Sequence, residues 1–85
     1  MTPDYRMQRK ILETLCGLAG VALGEKILID EVALRLPAKT DAGEIRDQLM
    51  LLKDQALVES VKGPLKETRW RRTPAGEAAL KDLEA

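Results

Sequence analysis

The chain has 85 residues, in which 14 Lys and Arg balance 14 Asp and Glu, with no His, no Phe and a single Cys. A neutral chain of this length is read as one small domain, not as a polycation, so any nucleic-acid surface must come from how its charge is distributed. One Cys excludes an internal disulfide, no apolar run approaches the ~20 residues that span a bilayer, and the charged start "MTPDYRMQRK" is unlike a secretory signal; together these point to the cytoplasm. With one Trp and one Tyr, the core must be filled by Leu, Ile, Val, Ala and Met, which favours helix over sheet.

The first helix is predicted from Thr2-Pro3 to about Cys16 or Leu18. Met7, Ile11, Leu15 and Leu18 recur at helical spacing, Leu12 widens the stripe, and Arg6, Arg9, Lys10 and Glu13 lie off it. "GLAGVALGEK", 17–26, holds three Gly and reads as the helix end and a loop. "ILI", 27–29, is short, apolar and rich in β-branched residues, which predicts a brief strand. Asp30 then caps a short helix, "EVALRL", that buries Val32, Ala33 and Leu36 and stops at Pro37.

"PAKT" is a tight connection, with Thr40 or Asp41 as the next cap and Glu44 three residues after Asp41. The third helix, about 41–55, sets Ile45, Leu49, Leu52 and Ala56 on one face; Met50 and Leu51 beside them belong either to a wide core stripe or to a partner surface. Two extended segments follow, "LVESV" at 57–61 and "ETRWRR" at 67–72, joined by "KGPLK" with Gly63-Pro64 as the turn. In the second, Trp70 and Arg72 alternate with Arg69 and Arg71, so the two sets point to opposite faces. Thr73-Pro74 then starts a last helix to about residue 84: a Thr side chain bonds first-turn amides, and Pro is tolerated at the first helical position. Ala79, Leu80 and Leu83 are its buried face.

The chemistry-bearing residues are few. There is no His to activate a nucleophile, only one Ser (Ser60) and one Cys, no pair of carboxylates set in a plausible cleft, and no metal-ligand spacing or nucleotide fingerprint. "GLAGVALG" follows a helix instead of a strand, the wrong context for a phosphate loop. Neither enzyme activity nor a cofactor or metal is expected. Cys16, beside the apolar stripe of the first helix, reads as a small buried hydrophobe.

Two short helices joined by a four-residue turn and followed by a β-hairpin is the winged helix-turn-helix order. The sequence resembles the winged-helix DNA-binding superfamily, closest in style to the MarR-like and PadR-like bacterial regulators. "IDEVALRL" is similar to the helix before the turn, and "TDAGEIRDQLMLLKDQALVES" to the next helix running into a strand. "RWRRTPAGEAAL" looks like the wing strand entering the following helix, with Gly76 three residues after Thr73 as the family has it.

The resemblance implies an α+β, mainly α, winged-helix domain over 1–85, in the order α-β-α-α-β-β-α. Its small antiparallel sheet would have three strands, 27–29 at the edge, 57–61 and 68–72, with Trp70 covering one end of the helical core. It implies a transcriptional regulator of bacterial or phage type that binds double-stranded DNA, helix 41–55 in the major groove and wing 57–72 on the backbone. The residues this assigns to DNA are Thr40, Gly43, Arg46, Asp47 and Gln48 on the helix, and Lys62, Lys66, Arg69, Arg71 and Arg72 on the wing. A homodimer through helix 1, the C-terminal helix or both would match two half-sites.

Two features depart from the pattern. Arg72 stands where relatives have Leu, so either that strand end is exposed or Arg72 snorkels over the core. The reading helix carries Asp41, Glu44, Asp47 and Asp54 against Arg46 and Lys53, with Asp41, Gly43, Glu44, Asp47 and Gln48 expected on its exposed N-terminal face. Carboxylates can accept from a cytosine amino group but are unfavourable beside phosphates. The wing, with Lys62, Lys66, Arg69, Arg71 and Arg72 against Glu67, favours DNA by counterion release. Lys and Arg on a hairpin also discourage edge-to-edge pairing, and a winged helix can serve as a protein–protein adaptor through an acidic third helix; both alternatives stand on the sequence.

Overall fold

The computed structural model describes residues 2–37 and 40–84. The chain runs α1 (Tyr5–Cys16), β1 (Leu23–Gly24), α2 (Glu25–Leu34), α3 (Ala42–Asp54), β2 (Val58–Lys62), β3 (Thr68–Arg72) and α4 (Pro74–Glu84). The three strands form one antiparallel sheet in the order β1-β3-β2, so the fold is α+β, mainly helical, in the expected element order.

Asp4, not Thr2, caps α1: its carboxylate accepts the Met7 N–H at 3.1 Å, one of the donors a helix start leaves free. Met7, Ile11, Leu12 and Leu15 are buried as their spacing predicts, while Leu18 lies in the turn beyond the helix.

The edge strand is not 27–29. That run lies inside α2, whose first turn opens with Glu25, a favourable charge at the positive end of a helix. Leu28, Ile29 and Val32 recur at helical spacing and are buried, and three apolar residues alone do not separate a period of two from one of 3.6. Leu23 and Gly24 are the strand instead, opposite Trp70 and Arg69. Asp30 therefore stands exposed in mid-helix and caps nothing, and the helix ends at Leu34, before Pro37.

α3 opens on Asp41, whose carboxylate accepts the Gly43 N–H at 3.2 Å, and it buries Ile45, Leu49 and Leu52. Ala56 does not extend that stripe; it lies past the helix end, exposed, at φ 59. Met50 is exposed and Leu51 half-buried. In the hairpin Val58 faces Arg72, Ser60 faces Trp70 and Lys62 faces Thr68, which puts Trp70 in the central strand and into the core.

Thr73 starts α4 as its sequence predicts, accepting the Gly76 N–H at 3.0 Å while its hydroxyl donates to the Ala56 carbonyl at 2.7 Å. Leu80 is buried, but Leu83 in the last turn is 42% exposed. Gly76 lets α4 cross the start of the wing at backbone distance: a Cβ there would lie 1.9 Å from the Leu57 carbonyl oxygen. Gly76→Ala must push α4 away from that carbonyl, so a loss of about 1–3 kcal/mol is expected, the usual cost of overpacking. A thermal melt that does not move would exclude the close approach.

Candidate nucleic-acid interface

The wing is a hairpin whose turn is held from several sides. The Lys66 N–H donates to the Gly63 carbonyl at 3.0 Å, and the Gly63 N–H donates to the Glu67 carbonyl at 2.8 Å. The Glu67 side chain folds back, accepting the Leu65 N–H at 3.0 Å with one oxygen and Arg69 at 3.0 Å with the other. Its own N–H, that of Leu65 and the Arg69 guanidinium hold the Glu67 carboxyl below the usual carboxylate range.

The wing cations are not equivalent. Arg69 is paired with Glu67, and Arg71 with Glu59 directly opposite it on β2. Glu59 therefore adds a second carboxylate to a hairpin that its last eleven residues alone make look almost purely basic. Lys62 donates to the Thr68 hydroxyl at 3.2 Å, and neither Lys62 nor Lys66 has a carboxylate partner among the described residues. Arg72 is no outward cation. Only 22% of its side chain is exposed, Nη1 donates to Glu77 of α4 at 2.6 Å, and Nε is buried without a partner. It snorkels, and it joins β3 to α4.

Around the start of α3 the assigned residues also divide. Thr40 donates to the Pro37 carbonyl at 2.9 Å, and Gly43 and Asp47 are exposed. Arg46 reaches Glu25 at 3.0 Å, while the other Glu25 oxygen accepts the Trp70 indole N–H at 3.2 Å. Glu25 thus ties α3 and β3 to the beginning of α2, and Lys53 lies over the Trp70 ring, 5.9 Å from its centre.

Gln48 is not on the exposed face. It is 6% exposed; its Oε1 accepts from Gln8 Nε2 and from the Asp4 N–H, each at 2.9 Å, and its Nε2 donates to the Thr2 carbonyl at 2.9 Å. The exposed acids of this face are Asp41, Glu44 and Asp47.

Three carboxylates, Glu25, Glu59 and Glu67, decide which cations are free, and of these the sequence pattern marks only Glu67, the one acid among the wing cations. Glu59 could have been found once the strand register was known, since the pair sits directly across the ladder. Glu25 and Arg46, 21 residues apart, carry no local signal. Burial pushes the Cys16 thiol up, outweighing the nearby Arg72, the opposite of the lowered pKa that marks an activated thiol.

Residues 5–67, which hold the helix pair, the third helix and the hairpin turn, match the family model of the winged helix-turn-helix transcription repressor HrcA DNA-binding domain. The chain belongs to this family. The HrcA match ends at Glu67, so α1 through the wing turn carry it. The fold is also similar to that of the PcaV transcriptional regulator from Streptomyces coelicolor, solved in complex with its natural ligand, at a TM-score of 0.72 and 19% identity. That likeness covers 91% of this chain and 50% of the regulator, so the chain spans half the regulator's length. No curated protein matches the chain.

The chain is therefore a winged-helix DNA-binding domain of a transcription-regulator family. Among the described residues no helix is long and apolar enough to cross a membrane, and no group of His, Cys, Asp and Glu is placed to hold a metal ion.

Proposed function

We propose that this domain binds double-stranded DNA as part of a transcriptional regulator of bacterial or phage type, acting in the cytoplasm. The wing lies along the phosphate backbone and the start of α3 enters the major groove. The observation that carries this is the pair of lysines at the end of the hairpin, Lys62 and Lys66, which no carboxylate neutralises among the described residues. Arg69 and Arg71 contribute by exchanging an exposed carboxylate for a phosphate oxygen, a partner of the same charge sign that a guanidinium also binds by charge-assisted hydrogen bonds.

On α3, Thr40, Gly43 and Arg46 approach the DNA, and Asp47 accepts from a cytosine amino group at a base edge. Gln48 and Arg72 take no part, since their polar groups face the protein. Two copies pair across α1 and α4, where Tyr5 and Leu83 stand exposed. The acidic face of Asp41, Glu44 and Asp47 favours a second reading, an adaptor that meets a basic protein partner and leaves DNA alone.

Fluorescence anisotropy on a mixed-sequence duplex at low salt separates the two. Binding in the micromolar range is expected, as for sequence-independent phosphate contacts. A folded protein that leaves the duplex free overturns the DNA reading in favour of the adaptor.

A further inference from the structure

The wing turn presents a leucine to solvent. Leu65 is 89% exposed, more than any other large apolar side chain among the described residues. A single exposed Leu is common and needs no function by itself. Here, however, the turn around it is locked: Pro64 has a fixed φ, Lys66 sits at φ 63, and the Gly63, Leu65 and Lys66 amides are all bonded within the turn. A Cβ on Gly63 would fall 1.7 Å from a Glu67 oxygen, so the carboxylate packs against the glycine. Both Glu67 oxygens face inward to Leu65 N–H and Arg69, so the one acid of the turn is folded back from its apex. What remains at the apex is Pro64 and Leu65, flanked by the unneutralised Lys62 and Lys66.

That combination suits neither a plain phosphate contact nor a solvated edge. A phosphate contact uses donors and cations, and an edge is protected by Lys, Pro or a bulge; neither gives a use to a leucine that is 89% exposed. A rigid apolar tip between two cations fits a minor groove, where Leu and Pro are among the side chains that proteins insert between base steps. Resting on the DNA reading above, we infer that Leu65 is a wedge that enters the minor groove, opens one base step and bends the duplex. The lysines hold the phosphates on either side of that step. Pyrimidine–purine steps such as TA and CA unstack most easily, so the wedge makes the wing selective for them without any hydrogen bond to a base.

The test compares duplexes of equal length that differ only in a central TA or GC step, using the whole chain, anisotropy for affinity, 2-aminopurine beside the step for unstacking, and end-to-end energy transfer for bending. The wild type is expected to favour the TA duplex by about fivefold or more, the low end of what one base-pair change costs in specific complexes, with a rise in 2-aminopurine fluorescence. Leu65→Ala, at an exposed position, is expected to keep its melting temperature and to lose the preference, the fluorescence rise and the bend together. Lys62→Ala with Lys66→Ala is expected to weaken both duplexes equally and keep the preference. Equal affinity of the wild type for both duplexes without unstacking, or a Leu65→Ala variant that keeps the preference, overturns the wedge while leaving the DNA reading intact. A wild type that binds neither duplex defeats that reading and the wedge with it.

Discussion

Trp70→Ala is expected to cost about 3–5 kcal/mol of folding stability, the range for removing a large buried side chain. Trp70 is 2% exposed and sits in the central strand, with Leu23 on one side and Ser60 on the other. The chain has no Phe and one Trp, and its single Tyr, Tyr5, stands exposed at the start of α1, so no other buried aromatic side chain can shift to fill the gap. The indole N–H also bonds Glu25, which holds Arg46, so truncation loosens the joint between α2, α3 and β3. A domain of this size has roughly 4–13 kcal/mol in all, so the variant is left close to unfolding. Urea unfolding followed by circular dichroism measures this, because the variant has no Trp fluorescence. Trp70→Phe separates the two contributions: it keeps most of the ring contacts, loses the hydrogen bond, and is expected to cost clearly less. An unchanged urea midpoint for Trp70→Ala contradicts the core role.

Much of the fold could be read from local pattern. The α1 stripe, the caps at Asp41 and Thr73, the Gly63-Pro64 turn and the inward Trp70 all follow from rules that act within a few residues. The misplaced edge strand shows where such rules stop. Leu23 and Gly24 form only two ladder pairs and owe them to Trp70 and Arg69, more than 40 residues away. Nothing local marks them as a strand, whereas "ILI" carries a β-like composition and a helical position.

The site divides in the same way. The wing was visible as a basic hairpin, but which cations are free depends on register and on Glu25, Glu59 and Glu67. Gln48 had a usable signal: with Ile45, Leu49 and Leu52 it completes the i, i+3, i+4, i+7 stripe that faces the core. Its polarity suggested solvent; its position demanded partners, and Gln8 with the N-terminal backbone supplies them.

Affinity for a mixed-sequence duplex is expected to fall about sixtyfold between 50 and 200 mM salt, a log–log slope of roughly −3, if Lys62, Lys66 and one or two of the paired arginines reach phosphates. The individual contributions are unequal for a physical reason. A lysine with no carboxylate partner releases its counterion in full, so Lys62→Ala with Lys66→Ala is expected to flatten the slope by about two. Arg71 must first leave Glu59, and an exposed pair of this kind is worth about 0.2–1 kcal/mol. Glu59→Gln removes that competition while keeping the side chain's shape, and is expected to tighten binding up to about fivefold, the ratio that 1 kcal/mol supplies. Glu67→Gln is a poorer probe, since Glu67 also holds the turn. Asp47→Asn is expected to tighten non-specific binding as well, because it removes a negative charge from the helix face that passes between the phosphates flanking the major groove. If Glu59→Gln binds no more tightly and the double lysine variant keeps the full slope, the phosphates meet some other surface of the domain. The basic residues of α1, Arg6, Arg9 and Lys10, are then the next cations to replace, and of these Arg9 and Lys10 share Glu13 as their partner.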